Sequence, residues 1–265
     1  MPSVCLSCII YTLADKALEE NQYIDIFVMW LIQLLKVKAL SKDDALQVKT
    51  DKRTIDYIKS NYTCFPQLEK HLPNLTFFMN EPPKTYLEGM MWRFIPTPYT
   101  QDIFLYLDID ILVLKPLENL TKSMKPNTLY VMMEGSMKDS NYNAAFPEMV
   151  RSQFRDEEPG YNSGKFAVTS QGIRDIIFKE IYSRCKFDTN YYTIDQPYFN
   201  CVIYELQKKS YLDTELFKNP YVSFNGQGYN PTTTVLFDCA GEPANGRKHF
   251  IKYIDLMGFF AMKLF

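Results

Sequence analysis

The segment FLYLDIDILVL, residues 104–114, constrains this chain more than any other. Two aspartates, Asp108 and Asp110, stand two positions apart inside an otherwise apolar run. Residues i and i+2 of a β-strand project from the same face, so two carboxylates on one strand here would converge. Converging like charges repel, and burying an ionised carboxylate without a partner costs several kcal/mol. A positive group must therefore lie between them. Two hard oxygen donors at close range suit Mg²⁺ or Mn²⁺, which bind through one or two carboxylates while substrate phosphates complete the shell. The ligand implied is a diphosphate. A bare DxD triplet also arises by chance at solvated strand ends, but the apolar residues on both sides weigh against that origin.

The surrounding pattern says what kind of sheet the segment belongs to. Residues 4–13 form a β-rich apolar run, and 23–40 carry Ile24, Phe27, Val28, Leu31, Leu34 and Leu35 at helical spacing. A short strand over 45–49, a helix over 54–61, a strand over 75–79, a helix over 88–94 and a strand over 103–107 follow. Strands alternating with helices argue βαβ units, hence an α/β fold with a mostly parallel central sheet and helices on both faces. Ligands of such sheets bind outside the carboxyl ends of the strands, where Asp108 and Asp110 lie. The second half is less regular: strands over 129–134, 166–169 and 233–237, a long loop over 136–160 with some helix at 147–154, and helices over 173–185 and 194–206. One domain over 1–265 is the simplest parse, with a nucleotide-binding half, 1–115, ending in DxD and a substrate-binding half, 116–265.

Composition removes several function classes. Lys+Arg total 29 against 31 Asp+Glu, so no overall charge points to nucleic acid or an anionic membrane surface. The apolar stretch 26–35 is far shorter than the roughly 20 residues of a membrane span, and the N-terminus MPSVCLSCIIYTL lacks the basic region and cleavage site of a signal peptide. A cytoplasmic chain is expected, with its six cysteines reduced. Cys5 and Cys8 form a CxxC, but on a strand positions i and i+3 face opposite sides and cannot share one metal.

The segment YLDIDILVLKPL resembles the DxD signature of nucleotide-sugar glycosyltransferases, in particular the glycogenin-like glycosyltransferase family 8 with its GT-A fold. Other segments resemble that family's motifs in the same order, from about residue 4 to 241. EGMMWRFIP resembles the helix bearing a basic residue before the DxD, which implies Arg93 near the diphosphate, and Ile109, between the two aspartates of the DxD, is a donor-binding candidate. GYNSGKFAV resembles the FNSG motif, giving Asn162, Ser163 and Gly164 as donor-sugar contacts, and IDQPYFN resembles the DQ motif, giving Asp195 and Gln196 in the catalytic pocket. YTLAD resembles the first-strand segment that holds base and ribose, so Tyr11, Thr12 and Leu13 are candidates, with Tyr23 as a stacking partner for uracil. The sequence departs from the family at LFDCAG, where the usual metal-binding His is Asp238, followed three residues later by Gly241. Asp is a competent ligand for Mn²⁺ or Mg²⁺, so Asp238 is the expected third ligand beside Asp108 and Asp110. The family's following lysine falls at Ala244, and Arg247 or Lys248 is a candidate replacement; His71 and His249, the two histidines, are expected at the surface.

The resemblance implies a Mn²⁺- or Mg²⁺-dependent transferase taking a hexose from UDP-glucose or UDP-galactose to a carbohydrate or glycoprotein acceptor, with retention. Compact family members without anchors, of the bacterial or large-DNA-virus type, fit the length. Two alternatives stay open. One is a nucleotide-sugar-binding protein without turnover. The other is a haloacid-dehalogenase-like phosphatase, whose DxD motif DIDILVL also resembles, although those enzymes carry it on the first strand.

Overall fold

The computed structural model describes residues 1–189, 191–218, 221–224 and 230–239. Its strands are β1 (Val4–Ile9), β2 (Ala45–Asp51), β3 (Leu75–Asn80), β4 (Ile103–Leu107), β5 (Ile111–Val113), β6 (Thr128–Ser136), β7 (Pro159–Val168), β8 (Asp213–Leu216), β9 (Val222–Phe224) and β10 (Leu236–Asp238). The helices are α1 (Tyr23–Lys36), α2 (Lys52–Asn61), α3 (Phe65–His71), α4 (Tyr86–Met91), α5 (Glu118–Thr121), α6 (Ser140–Asn143), α7 (Glu148–Arg151), α8 (Gln171–Arg184) and α9 (Gln196–Lys208).

Seven strands form the main sheet in the order β3-β2-β1-β4-β7-β6-β8, and β5, β10 and β9 form a second, smaller one. β3, β2, β1 and β4 run parallel, as the alternation of strands and helices requires. β7 then joins β4 antiparallel, so both halves of the chain share one sheet. The central strands are buried on both faces: every residue of β1 and β4 is covered. Leu6, Cys8, Leu105 and Leu107 face a core built with α1, α2, α3, β5 and β10. Cys5, Phe104, Tyr106 and Phe166 face the opposite core, built with α4, α8 and α9. Each fully buried Leu, Ile or Phe in these layers contributes about 1.5–3 kcal/mol. Cys5 and Cys8 thus lie on opposite faces, and all six thiols are free.

The apolar stretch 26–35 belongs to α1, which is covered on nearly every side. Two of its side chains hold β5 in place. Trp30 Nε1 donates to the Ile111 carbonyl at 2.9 Å, and the Gln33 amide, fully buried, both donates to the Val113 carbonyl (2.6 Å) and accepts from its N–H (3.2 Å). Gln33 therefore supplies the ladder bonds that a neighbouring strand would otherwise give. Among the described residues no helix is long and apolar enough to cross a membrane.

Several expected elements are corrected. The run 4–13 ends as a strand at Ile9, and 88–94 divides into α4 and a 3-10 turn, Trp92–Phe94. The helix expected from Ile194 starts at Gln196, because Ile194 adopts φ 55°, a left-handed backbone that cannot open a right-handed helix. α3 and β8 have no counterpart in the sequence reading: Pro66 masks the first, and β8 is a half-exposed edge strand without apolar alternation.

Candidate active site

β4 stops one residue short of the aspartates. Residues 108–111 form a tight turn closed by the Ile111 N–H donating to the Asp108 carbonyl at 3.1 Å. The strand expected over 103–107 is β4, and the rest of FLYLDIDILVL turns into β5, which lies in a different sheet. The two carboxylates are brought together by that turn and not by strand alternation. Its ends are clamped from both sides: the Asp108 N–H donates to the Gly164 carbonyl (2.8 Å), and the Cys239 N–H to the Asp110 carbonyl (3.3 Å).

Asp108 is fixed by its neighbours. Oδ1 accepts from the Tyr106 hydroxyl at 2.7 Å and lies 3.3 Å from Arg93 Nη2. Oδ2 rests against Gly164, where a Cβ would fall inside contact distance of that oxygen and 3.1 Å from Asn162 Oδ1. The glycine of the NSG segment is thereby required by packing: only a residue without a side chain lets β7 approach the aspartate this closely.

Arg93 is only 1% exposed, so its guanidinium faces carboxylates behind the cleft. Besides Asp108 it meets Asp195 Oδ2 (3.4 Å to Nε), donates to the Ser163 carbonyl (2.8 Å) and stacks on the Tyr106 ring at 4.9 Å. Burial alone would lower its pKa, but Asp108 and Asp195 outweigh burial and raise it, so the charge is permanent. Asp195 is pushed up by burial despite Arg93, and its Oδ2 has no hydrogen-bond partner. Gln196, the first residue of α9, accepts from the Ser163 N–H at 3.2 Å. Asn200, one turn on, pins β7 by accepting from the Tyr161 N–H and donating to its carbonyl, both at 2.8 Å. The structure thus brings Arg93, Asp108, Ser163, Asp195 and Gln196 into one cluster.

Asn162 closes a local turn by accepting from the Gly164 N–H (2.7 Å) and donates to Glu134 Oε2 (2.9 Å). Glu134, exposed at the bulged end of β6, went unnoticed in the sequence because nothing marks a lone carboxylate at a strand end. Lys165 was missed as well, although a lone lysine in the apolar run GKFAV is a signal: a buried ammonium needs a counter-charge. It is 1% exposed and forms an ion pair with Asp238. Burial would lower its pKa, and Asp238 and Glu134 raise it instead.

Asp110 has its carboxyl pushed up to about 7, by burial first, then by Asp108 and Asp238, with Lys165 opposing. A carboxyl raised by the carboxylates around it marks local negative charge, and a hard divalent cation fits the oxygen donors of the turn. Among the described residues no group of three or more His, Cys, Asp or Glu side chains is arranged to hold a metal ion. Asp108 and Asp110 are the carboxylates of the turn that line the cleft.

That cleft has a volume of about 710 Å³ and opens at the carboxyl ends of β1 and β4. Tyr11, Thr12 and Leu13 follow β1 along one wall, Tyr23 stands at α1, and Ile109 lies between the aspartates. Tyr86, Met90 and Ile194 complete the apolar side. The Tyr11 ring crosses Gly89 of α4 and meets Trp92 edge-on, 5.4 Å between centroids. Thr12 is held in a buried network: its N–H donates to Asp51 Oδ2 (3.3 Å), and its hydroxyl accepts from Asn21 (2.8 Å) and Thr54 (3.1 Å). Tyr23 is 40% exposed at the mouth. Gly241, Ala244, Arg247, Lys248 and His249 lie outside the described residues; His71 is exposed at the end of α3.

Solved structures of similar fold include the following three. Mouse xyloside xylosyltransferase 1, in its apo form, superposes with a TM-score of 0.53 at 10% identity, covering 92% of this chain and 98% of that one. The glycosyltransferase GlyE of Streptococcus pneumoniae TIGR4, also apo, gives 0.45 at 15% identity over 83% of this chain and 46% of that one. The 4-diphosphocytidyl-2C-methyl-D-erythritol synthase of Anaerococcus prevotii gives 0.44 at 10% identity, over 82% and 88%. No family model and no curated protein matches the sequence. The first likeness, with a mostly parallel central sheet flanked by helices, shows the GT-A fold of nucleotide-sugar transferases.

Proposed function

We propose that this chain is a divalent-metal-dependent glycosyltransferase that takes a hexose from UDP-glucose or UDP-galactose and passes it to a carbohydrate or glycoprotein acceptor with retention. The observation that carries this is that Asp108 and Asp110 line a cleft of about 710 Å³ at the strand ends, a volume within the range of roughly 300–1,000 Å³ typical of small-ligand sites. The uridine lies along Tyr11, Thr12 and Leu13 with Tyr23 against the base, and the diphosphate reaches the aspartates. Mn²⁺ or Mg²⁺ held there supplies Lewis acidity for the departing diphosphate.

The chain's own residues orient the reaction. Arg93 fixes Asp108 and Asp195 relative to each other, and Ser163 ties both to Gln196, so the sugar pocket and the diphosphate end move as one unit. Asn162, aligned by Glu134, presents its amide beside the sugar. In a retaining transfer the bond from C1 to the diphosphate oxygen breaks and the bond from C1 to the acceptor oxygen forms on the same face. The acceptor's proton passes to the diphosphate. A binding protein without turnover is the second reading, favoured by the engagement of Asp238 with Lys165. Incubation with a panel of nucleotide sugars and Mn²⁺, with UDP release as the readout, separates the two: release from UDP-glucose or UDP-galactose is expected, and release from none contradicts transfer.

A further inference from the structure

The Lys165–Asp238 pair stands directly behind the aspartate turn. Lys165 is paired in register with Leu107, the residue before Asp108, and Asp238 is paired with Ile111, the residue after Asp110. β7 and β10, the strands paired with β4 and β5 on either side of the turn, therefore each deliver one member of the ion pair. Both residues are buried, Lys165 at 1% and Asp238 at 3% exposure. An ammonium group this deep cannot fall back on water, so its carboxylate partner is obligatory. Asp238 does not line the cleft that Asp108 and Asp110 line.

We propose that Asp238 is the counter-ion of Lys165 and not a metal ligand, so that the chain contributes a two-carboxylate centre, Asp108 and Asp110. The Lys165 ammonium supplies a built-in positive charge behind the turn, and Asp238 cancels the cost of burying it. Asp238 thus has a use that the expected histidine at its position would not have, since a neutral imidazole cannot balance an ammonium. The consequence for binding rests on the metal-dependent reading above. With two ligands from the chain, most of the cation's shell comes from the donor diphosphate and water. Mn²⁺ then binds weakly to the free chain and tightly with UDP, and by linkage UDP gains the same factor from Mn²⁺.

The test uses the full chain, Asp110→Asn, Lys165→Met, Asp238→Leu and the double variant Lys165→Met/Asp238→Leu, which replaces the buried ion pair by apolar groups and keeps the fold. Mn²⁺ binding is followed by electron paramagnetic resonance with and without UDP, and melting is measured without metal. The double variant is expected to hold Mn²⁺ with UDP within about threefold of the parent, whereas Asp110→Asn weakens it by about tenfold or more. Each single variant melts lower than the double variant, because each leaves one buried charge alone. Loss of Mn²⁺ in the double variant equal to that of Asp110→Asn overturns the proposal, as do additive melting effects. Mn²⁺ and UDP binding that ignore Asp110→Asn would instead remove the metal-dependent reading, while the melting cycle still decides the ion pair.

Discussion

At the scale of single residues, Gly164 is the position where a side chain would be most costly for the site. Asp108 Oδ2 occupies the space that a Cβ would need. Gly164→Ala is expected to displace the carboxylate, lowering stability by about 1–3 kcal/mol as overpacking does. UDP affinity in Mn²⁺ should fall by about tenfold or more, since one of two chain ligands has moved. Calorimetric titration and a melting curve read the two effects, and unchanged UDP affinity would show that Asp108 does not face the ligand. The sequence made Asp108, Asp110 and the NSG glycine legible as chemistry, because the residue types state what they can bind. It did not make Arg93 legible as a buried clamp. That role depends on Tyr106 beneath its guanidinium and on Asp195, about one hundred residues later in the chain, meeting it from the residue just before α9.

At the scale of elements, the site is held by polar side chains buried inside regular structure. β2 is covered along its whole length although it contains Gln47, Lys49, Thr50 and Asp51. Lys49 donates to the carbonyls of Arg93 (3.1 Å) and Ile95 (2.6 Å), so it anchors the turn that carries Arg93. Burial, and then the charge of Arg174, bring its pKa down to about 7 from 10.5. Between those values the unfolded chain holds the proton that the folded chain has released, so stability rises with pH across that window. Urea denaturation is expected to show Lys49 adding on the order of 1 kcal/mol per pH unit there, and Lys49→Met should lack that slope. A slope unchanged in Lys49→Met would mean that the lysine is solvated in the native state. The strand–helix alternation of the first half was readable from apolar periodicity, which is a local signal. The division of FLYLDIDILVL into β4 and β5 was not, because it is imposed from outside: α1 reaches β5 through Trp30 and Gln33, and β10 pairs with it from the far end of the chain.

At the scale of the whole molecule, the chain's two halves meet in one sheet. The parallel strands β3, β2, β1 and β4 give the crevice its position, and β7, arriving antiparallel beside β4, brings Asn162, Ser163, Gly164 and Lys165 to the same turn. The parallel α/β class was legible because each βαβ unit is local in sequence; the antiparallel entry of β7 needs contacts some sixty residues apart and leaves no periodic trace. In the proposed site the nucleotide diphosphate is held through a divalent cation on the Asp108–Asp110 turn. Isothermal titration of UDP in Mn²⁺, repeated in excess chelator and with Asp110→Asn, tests it most directly. Binding that weakens by about tenfold or more in chelator, and equally in Asp110→Asn, is the predicted result. Tight UDP binding that neither the chelator nor the substitution alters would contradict it.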